Sequence, residues 1–418
     1  MKTIAVVGKN FGDEGKGMAV DYLSLISKRT LVVRHNGGAQ SGHTVDLKKR
    51  VNSEDYACTG GGRFVFHELS SGSLRHAGTL WIESFYPDLY KLGEEISDFE
   101  VSFGFVPPIY AMENTCITVP DDILINMALE SSRGEERHGS CGMGINECDI
   151  RTKSGYGLSL KDISALNSKG LYKKLSEIRK SYTAVRLNEI RNCINGKASG
   201  YIELLNNENV LMNAADAMIE NFRYIKLMTE ETLKELLKEV DTLVFETGQG
   251  LLLDCDNEEY APHVTASRTG IHNPCAFLRK FGLNLDEVLY VTRSYVTRHG
   301  AGKLPFECDK TALGNIEKDR TNEPNDWQGH IRYAAHESPE VFVSSVKKDI
   351  SDYGHEALKV SLLVTHLNET ENCVVLNNRK ISISDFASLP EIRSLFSDIY
   401  ISSGFYAEDI KRIIFDIV

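Results

Sequence analysis

The stretch that decides the fold occupies residues 3–44. It opens with an apolar run and a glycine-rich turn, Thr3-Ile4-Ala5-Val6-Val7-Gly8-Lys9-Asn10-Phe11-Gly12-Asp13-Glu14-Gly15-Lys16-Gly17. An amphipathic segment then leads to a second apolar run and a second glycine cluster, Leu31-Val32-Val33-Arg34-His35-Asn36-Gly37-Gly38-Ala39-Gln40-Ser41-Gly42-His43-Thr44. This order predicts a βαβ unit with glycine loops at the carboxyl ends of both strands. Open α/β sheets bind ligands at that edge.

The first glycine turn is P-loop-like but departs from the pattern GxxxxGK[ST] twice. Asn10 stands where the pattern has its first glycine, and Gly17 follows Lys16 in place of Ser or Thr. Lys16 and the main-chain amides at the start of the helix can hold phosphate. The turn also contains Asp13, which would repel phosphate unless a cation or a proton transfer uses it.

Four later apolar runs, at 243–245, 288–291, 362–364 and 399–401, also end in polar and glycine residues. If these runs lie in one parallel sheet, their carboxyl ends converge on a single crevice. Residues 160–240 instead show apolar positions at helical spacing. We therefore predict an α/β fold with a mostly parallel central sheet. It would form one domain over 1–418, with a mainly helical insertion at about 155–240.

Composition limits the possible partners. The net charge of −12 argues against a nucleic-acid or anionic membrane surface, and no apolar run is long enough to span a bilayer. The nine cysteines are scattered with no CxxC pair, so neither a disulfide framework nor a zinc site is indicated. Met1-Lys2 leads directly into a strand, without a signal peptide. We expect a cytoplasmic protein.

The two glycine motifs together carry a family resemblance. Gly12-Asp13-Glu14-Gly15-Lys16-Gly17 with Gly37-Gly38-x-x-x-Gly42-His43-Thr44 resembles adenylosuccinate synthetase, the ligase that joins aspartate to inosine monophosphate. The resemblance implies that Asp13 is the catalytic base and His43 the acid, with Lys16 beside them. It also implies Mg²⁺ held by Asp13 and the carbonyl of Gly42. The implied phosphate-binding residues are Gly12, Glu14, Gly15, Gly17 and Thr44.

The residue types suit that chemistry. An oxygen on a purine ring becomes a leaving group when a nucleoside triphosphate phosphorylates it. The step needs a base for the ring N1 proton, stabilisation of the developing charge, and a cation across the phosphates. A carboxylate can serve as a base or a Mg²⁺ ligand, and an imidazole changes charge near neutral pH.

The resemblance also implies residues around the substrate nucleotide. Gln249 and Thr265 match positions that contact the monophosphate. Gln40 stands where the family has Asn, and Cys141 stands where it has Thr, so that Ser140 could supply the hydroxyl. Arg151 matches an arginine that reaches into a neighbouring subunit, which predicts a homodimer. Arg34 and Asn36 stay open between structural and ligand roles, and His67 is expected to be structural.

Two departures from the family concern its other substrates. The family recognises guanine through Thr-Lys-x-Asp, whereas this chain has Thr365-His366-Leu367-Asn368, with Ser403 and Gly404 expected nearby. An amide can pair with adenine as well as guanine, so ATP competes with GTP as the phosphate donor. The aspartate-binding loop of the family is rich in arginine, whereas residues 319–329 here contain Arg320 alone. Arg298 or Arg332 would have to compensate.

Three functions stay open. The first is a carbon–nitrogen ligase acting on IMP and aspartate. The second is an ATP-dependent ligase of the same type with another amine or with GMP or dGMP, as in phage relatives that act on deoxyguanylate. The third is a nucleotide sensor without turnover, against which the intact Asp13, Lys16 and His43 argue.

Overall fold

The computed structural model describes residues 1–48, 62–134, 142–317 and 329–414. Its centre is a ten-stranded sheet in the order β19-β18-β15-β11-β1-β10-β2-β6-β8-β9, and every neighbouring pair is parallel except β18 and β19. The α/β prediction is confirmed. The strands of this sheet are β1 Lys2–Gly8, β2 Thr30–Arg34, β6 Gly78–Trp81, β8 Ile109–Met112, β9 Ile225–Met228, β10 Thr242–Gly250, β11 Glu287–Arg293, β15 Lys359–Thr365, β18 Asp398–Ser402 and β19 Ile410–Arg412.

Nine short strands of the described ranges form small sheets around the central one. They are β3 Gly37–Gly38, β4 His43–Asp46, β5 Arg63–Phe66, β7 Phe85–Tyr86, β12 Val296–Arg298, β13 Glu307–Cys308, β14 Arg332–Ala334, β16 Cys373–Leu376 and β17 Arg379–Ser382. The hairpin of β4 and β5 is antiparallel and begins with His43 opposite Phe66. It therefore places His43 just beyond the end of β2.

The alternation of side chains along β1 explains why both faces of the sheet are buried. Ile4 and Val6 belong to one apolar cluster, which includes Met18 of the following helix. Ala5 and Val7 belong to a larger cluster on the opposite face. A strand buried on both faces needs a continuous apolar sequence, and Ile4-Ala5-Val6-Val7 supplies one.

The first βαβ unit is parallel as predicted, but its two strands are not neighbours. Strand β10 lies between β1 and β2 and pairs with both of them. Its acidic residue Glu246 therefore enters the edge between the two glycine loops, where it stands opposite Val6 on one side and Arg34 on the other.

The helices are α1 Lys16–Leu25, α2 Leu89–Phe103, α3 Pro120–Arg133, α4 Ile145–Arg151, α5 Leu160–Ser164, α6 Ser168–Ile178, α7 Ala184–Glu189, α8 Ser199–Leu205, α9 Glu208–Phe222, α10 Glu230–Leu237, α11 His272–Lys280, α12 Lys310–Leu313, α13 Pro339–Tyr353, α14 Ile383–Ser388 and α15 Pro390–Leu395. Helices α3 to α9 lie between β8 and β9, which are adjacent strands. The helical stretch therefore begins before residue 155, and β9 interrupts it before 240. None of the helices in the described ranges is both long and apolar enough to cross a bilayer.

Candidate active site

The glycine loop after β1 is held by one of its own acids. The Glu14 carboxylate accepts hydrogen bonds from the main-chain N–H groups of Asn10 at 3.0 Å and Gly12 at 2.8 Å. It also lies 3.2 Å from the Lys16 ammonium. A Cβ atom at Gly8 would stand 2.4 Å from a Glu14 carboxylate oxygen, so this approach requires glycine. The Glu14 side chain does not fit the predicted phosphate-binding role, because it takes donors that a phosphate would use.

Lys16 begins α1 beside the second glycine motif. It is buried and donates to the carbonyl oxygen of Gly12 at 2.6 Å. A Cβ atom at Gly17 would stand 2.6 Å from the main-chain oxygen of Thr44. The two motifs that carry the resemblance therefore pack against each other, although 26 residues separate Gly17 from Thr44 in the chain.

Asp13 projects from the loop with its side chain 24% exposed. One carboxylate oxygen, Oδ2, lies 3.2 Å from Nε2 of His299. The main-chain carbonyl of Asp13 accepts a hydrogen bond from Arg293, and Arg293 also donates to the Tyr295 hydroxyl at 3.1 Å. His299 was not predicted from the sequence. The sequence feature that could have pointed to His299 is its position directly after Arg298, in a polar segment that follows an apolar run.

His43 is buried at the start of β4. Its Nδ1 lies 3.6 Å from Oε1 of Glu246, whereas Nε2 has no hydrogen-bond partner among the described residues. Burial lowers the pKa of His43 well below its usual value, and the charges of Arg34 and Lys16 lower it further. The imidazole is therefore neutral without ligand, with one nitrogen left for a substrate.

Glu246 connects several parts of the site and was also missed from the sequence. Its side chain is fully buried, accepts hydrogen bonds from the main-chain N–H and the hydroxyl of Ser71, and lies 3.3 Å from the Arg34 guanidinium. These contacts give Arg34 a structural role. The available signal was an acid directly after the apolar run 243–245.

Gln249 stands beside the glycine loop, as the resemblance implies for a nucleotide-binding residue. Its φ is +66°, and a Cβ atom at Gly12 would stand 3.0 Å from its Oε1. The Asn36 side-chain amide donates to the carbonyl oxygen of Gly248 at 2.9 Å and accepts from its N–H at 2.8 Å. Asn36 is therefore structural, and it fixes the turn that carries Gln249.

The other residues discussed for the nucleotide site make few hydrogen bonds within the described part of the chain. Gln40 has a buried Oε1 without a hydrogen-bond partner in the described part of the chain. Thr265 is half-buried, and its main-chain N–H donates to Leu253 at 2.8 Å. His67 donates from Nδ1 to the carbonyl oxygen of Ala39, 2.8 Å away.

Arg298 is a buried cation whose hydrogen-bond partners are neutral. It donates to the carbonyl oxygens of Lys303 at 2.6 Å and His263 at 3.0 Å, and its guanidinium lies 4.6 Å from the ring centre of Phe11. Burial, followed by the charge of Arg332, lowers the pKa of Arg298 to about 10. No carboxylate of the described residues forms an ion pair with it. Arg332, in contrast, pairs with Glu307.

Arg151 makes its contacts within its own chain. Its guanidinium is fully buried and forms a bidentate pair with Asp122, with nitrogen–oxygen distances of 2.9 and 2.8 Å. It also donates to the carbonyl oxygens of Ile117 at 2.8 Å and Tyr156 at 2.6 Å. Its role at a neighbouring subunit stays a prediction.

The residues predicted to contact the nucleobase of the triphosphate follow strands β15 and β18. His366 has a φ of +58°, and its Nδ1 lies 2.8 Å from the Thr365 hydroxyl, which donates to the carbonyl of Glu14 at 2.8 Å. These hydrogen bonds link the predicted site for the nucleobase of the triphosphate to the glycine loop. Asn368 is exposed. The Ser403 hydroxyl donates to the side chain of Asn372 at 2.9 Å, which brings together the segments after β15 and β18.

Three predicted residues, Ser140, Cys141 and Arg320, lie outside the described residues. Gly404 is half-buried beside Ser403, and a Cβ atom there would meet the Asp409 carboxylate at 2.1 Å. Both glycine loops and the loops after β10, β11, β15 and β18 follow the carboxyl ends of strands in the central sheet.

Comparison with known proteins identifies the family. The family model described as adenylosuccinate synthetase matches residues 5–337. An adenylosuccinate synthetase of Thioalkalivibrio sulfidiphilus is 29% identical over 310 residues, which cover 73% of this chain and 65% of that protein. One of Pseudoalteromonas atlantica is 29% identical over 314 residues, which cover 74% and 66%. The chain thus spans just under two thirds of the length of these relatives.

Two solved structures share the fold. The fully ligated adenylosuccinate synthetase of Plasmodium falciparum has a TM-score of 0.65 at 19% identity, over 98% of this chain and 99% of that one. The succinoaminodeoxyadenylate synthetase of cyanophage S-2L, bound to dGMP and to dATP as an energy donor, has a TM-score of 0.61 at 13% identity. The alignment with the cyanophage enzyme covers 98% of this chain and 95% of that chain.

Proposed function

Because the chain belongs to the adenylosuccinate synthetase family, we propose that it is a purine nucleotide ligase. It would phosphorylate the 6-oxygen of a purine monophosphate with a nucleoside triphosphate and replace that oxygen with an amine, in the simplest case IMP and aspartate. One observation carries this proposal. The loop that presents Asp13 and the strand that presents His43 pack together through Gly17 and Thr44, with Lys16 between the two motifs.

In this reaction the Asp13 carboxylate removes the proton from ring N1. Electron density then moves to the 6-oxygen, which attacks the terminal phosphorus of the triphosphate and displaces the nucleoside diphosphate. The amine then adds to C6 and loses a proton, and the 6-oxygen leaves as inorganic phosphate. The unpaired Nε2 of His43 is available for a hydrogen bond to the oxygen or the transferring phosphoryl group. The Glu246 carboxylate, 3.6 Å from the other ring nitrogen, favours a proton on that nitrogen. Lys16 and main-chain amides stabilise the negative charge on the phosphates.

A divalent cation fits the same edge. Asp13 offers a partly exposed carboxylate, and Gly42 is exposed at the neighbouring loop, with a carbonyl that can serve as a second hard oxygen ligand. These two residues would hold Mg²⁺, which when bound neutralises charge across the phosphates.

The phosphate donor in this proposal is ATP rather than GTP. Asn368 offers an amide where the family has a carboxylate, so the two donors of guanine lose their common acceptor. Asn368→Asp should raise kcat/KM for GTP relative to ATP by about 10-fold or more. Asn378→Asp, an exposed turn residue after β16, adds the same charge and should leave the ratio unchanged. An unaltered ratio in both variants would contradict the role of Asn368.

Arg298 is the proposed partner for a carboxylate of the amine substrate, since it is a buried guanidinium with neutral partners. The donors of Arg151 are used within its own chain. The homodimer rests on the family resemblance alone and stays part of the proposal. The cyanophage neighbour bound to dGMP and dATP favours one alternative, a ligase acting on a 2-aminopurine monophosphate.

The test is phosphate release together with mass analysis of the purine product. IMP, GMP and dGMP are each combined with ATP or GTP and with aspartate or another amino acid. A product with IMP, aspartate and ATP supports the main proposal, and a product only with GMP or dGMP supports the alternative. Binding of nucleotide without product in any combination would overturn the ligase and leave a sensor.

A further inference from the structure

We propose that His299 is a positioning residue that holds Oδ2 of Asp13, so that Oδ1 faces the purine N1. This inference rests on the proposed function, because it assigns a partner to the proposed base. His299 is not part of the glycine motifs that identify the family. It reaches Asp13 from the loop after β12.

The contact brings together two parts of the chain that are 286 residues apart. Nε2 of His299 lies 3.2 Å from Oδ2 of Asp13, and the side chains are 17% and 24% exposed. This nitrogen is buried, and no described residue forms a well-aligned hydrogen bond with it. The Asp13 carboxylate lies within ion-pair distance of this nitrogen.

The role assigned to His299 requires a hydrogen on Nε2, as in one neutral tautomer of the ring. An N–H at this position can donate to the carboxylate oxygen 3.2 Å away, whereas a nitrogen lone pair would be repelled by it. The role assigned here needs only that neutral donor.

The backbone of Asp13 is already fixed by Arg293, which donates to its carbonyl. The side chain of Asp13 can still rotate, and a base must be aligned within hydrogen-bond reach of the proton that it removes. A donor on Oδ2 restricts that rotation and leaves the second oxygen to the substrate. This is how a second residue commonly orients a catalytic group.

The experiment compares His299→Leu with His299→Gln, because the glutamine amide can place an N–H near the position of Nε2 and leucine cannot. His299→Leu should lower kcat by about 10- to 100-fold and change KM for the monophosphate by less than about 2-fold. His299→Gln should recover most of that loss. His355→Leu serves as the control, because His355 bonds to Leu285 at the opposite edge of the sheet.

Coupling to Asp13 separates positioning from a structural role. In an Asp13→Asn background, His299→Leu should cost little further activity, because the oriented base is already gone. Equal losses in both backgrounds, or a raised KM with unchanged kcat, would overturn the proposal. Melting temperatures of the variants identify any loss that comes from unfolding.

A crystal structure of each variant with bound monophosphate gives a readout that does not need turnover. Oδ2 of Asp13 should contact residue 299 in the unaltered protein and in His299→Gln, and the carboxylate should turn away in His299→Leu. An unchanged carboxylate in His299→Leu would contradict the inference. If the unaltered protein makes no purine product, the proposed function fails, and the structures still decide the contact.

Discussion

Asp13 and His43 differ in solvent exposure, although both lie at the carboxyl edge of the sheet. The Asp13 carboxylate is partly exposed, and the His43 ring is buried with a lowered pKa. Asp13→Asn keeps the shape of the base and removes its ability to accept a proton. Product formation should fall by about 10²- to 10⁴-fold, with Kd for the monophosphate changed only a few-fold.

Calorimetric titration with the monophosphate checks this expectation beside the turnover assay. Asn378→Asp provides a folded reference protein with a changed charge at a distance from the site. Turnover of Asp13→Asn within about 5-fold of the unaltered protein would remove Asp13 from the mechanism.

Glu246 supports a second prediction, because its buried carboxylate lies 3.6 Å from Nδ1 of His43 and 3.3 Å from the Arg34 guanidinium. Glu246→Gln should lower kcat on the order of 10²-fold by losing control of the imidazole tautomer. It should also lower the free energy of unfolding by about 3 kcal/mol, because Arg34 is left as an unpaired buried charge.

Urea unfolding and kcat are measured on the same preparation. Ser71→Ala is the matched control, since it removes one hydrogen bond to Glu246 but keeps the charge. It should cost about 1 kcal/mol and change kcat only a few-fold. Equal kcat in the two variants would mean that the charge of Glu246 does not act through His43.

For individual residues, the sequence motifs predicted only part of the candidate active site. Asp13, Lys16 and His43 stand in the two glycine motifs, whose spacing is visible in the chain. Glu246 and His299 reach the same place through strand order and loop direction, which no local pattern encodes. Matching Arg151 to a family position likewise did not reveal its buried ion pair with Asp122.

Among the elements, the contact between α1 and β4 depends most on a single residue. A Cβ atom at Gly17 would lie 2.6 Å from the carbonyl oxygen of Thr44 and 3.2 Å from the Ser71 hydroxyl. Gly17→Ala should therefore push the helix away from the hairpin and displace Lys16. We expect a loss of about 1–3 kcal/mol in unfolding free energy and at least about a 10-fold loss of kcat.

Gly200→Ala provides the comparison for that variant. Gly200 lies in α8, and an added methyl group there would have no described atom within 4 Å, so alanine should stabilise the protein by about 0.5–1 kcal/mol. Thermal unfolding and kcat are measured for both proteins. A Gly17→Ala protein that behaves like Gly200→Ala would show that the close approach is not required.

The elements themselves were largely predictable, because apolar runs and helical spacing are local properties. The order of the strands in the sheet was less predictable from the sequence. Strand β10 inserts between β1 and β2 although a long stretch of chain separates it from β2, and β9 joins the sheet after a long helical segment. Periodicity identifies such strands but does not state their neighbours.

For the molecule as a whole, one buried acid links stability to pH. Asp349 of α13 accepts hydrogen bonds from the Tyr290 hydroxyl at 2.7 Å and the Ile271 N–H at 3.1 Å. Burial raises the pKa of Asp349 from 3.8 to about 6. The folded chain therefore holds an extra proton between about pH 4 and 6, so this group's contribution to the unfolding free energy falls as pH rises through that window, by about 3 kcal/mol in total.

Asp349→Asn cannot ionise and should remove this dependence. Urea unfolding at about pH 4.5 and pH 7 is compared for the two proteins, and the change between the two pH values should differ by about 2–3 kcal/mol. The other buried acids titrate in both proteins and cancel from this difference. Identical pH dependence would mean that Asp349 ionises normally in the folded chain.

The Glu14 carboxylate has a consequence for how a phosphate enters the glycine loop. It already binds the N–H groups of Asn10 and Gly12 and lies beside Lys16. A phosphate that uses the same donors must replace this tethered anion, so entry is an exchange between two negative groups. The affinity for phosphate then reflects the difference between the binding free energies of the phosphate and the Glu14 carboxylate at these donors. The loop keeps its shape while either anion is bound.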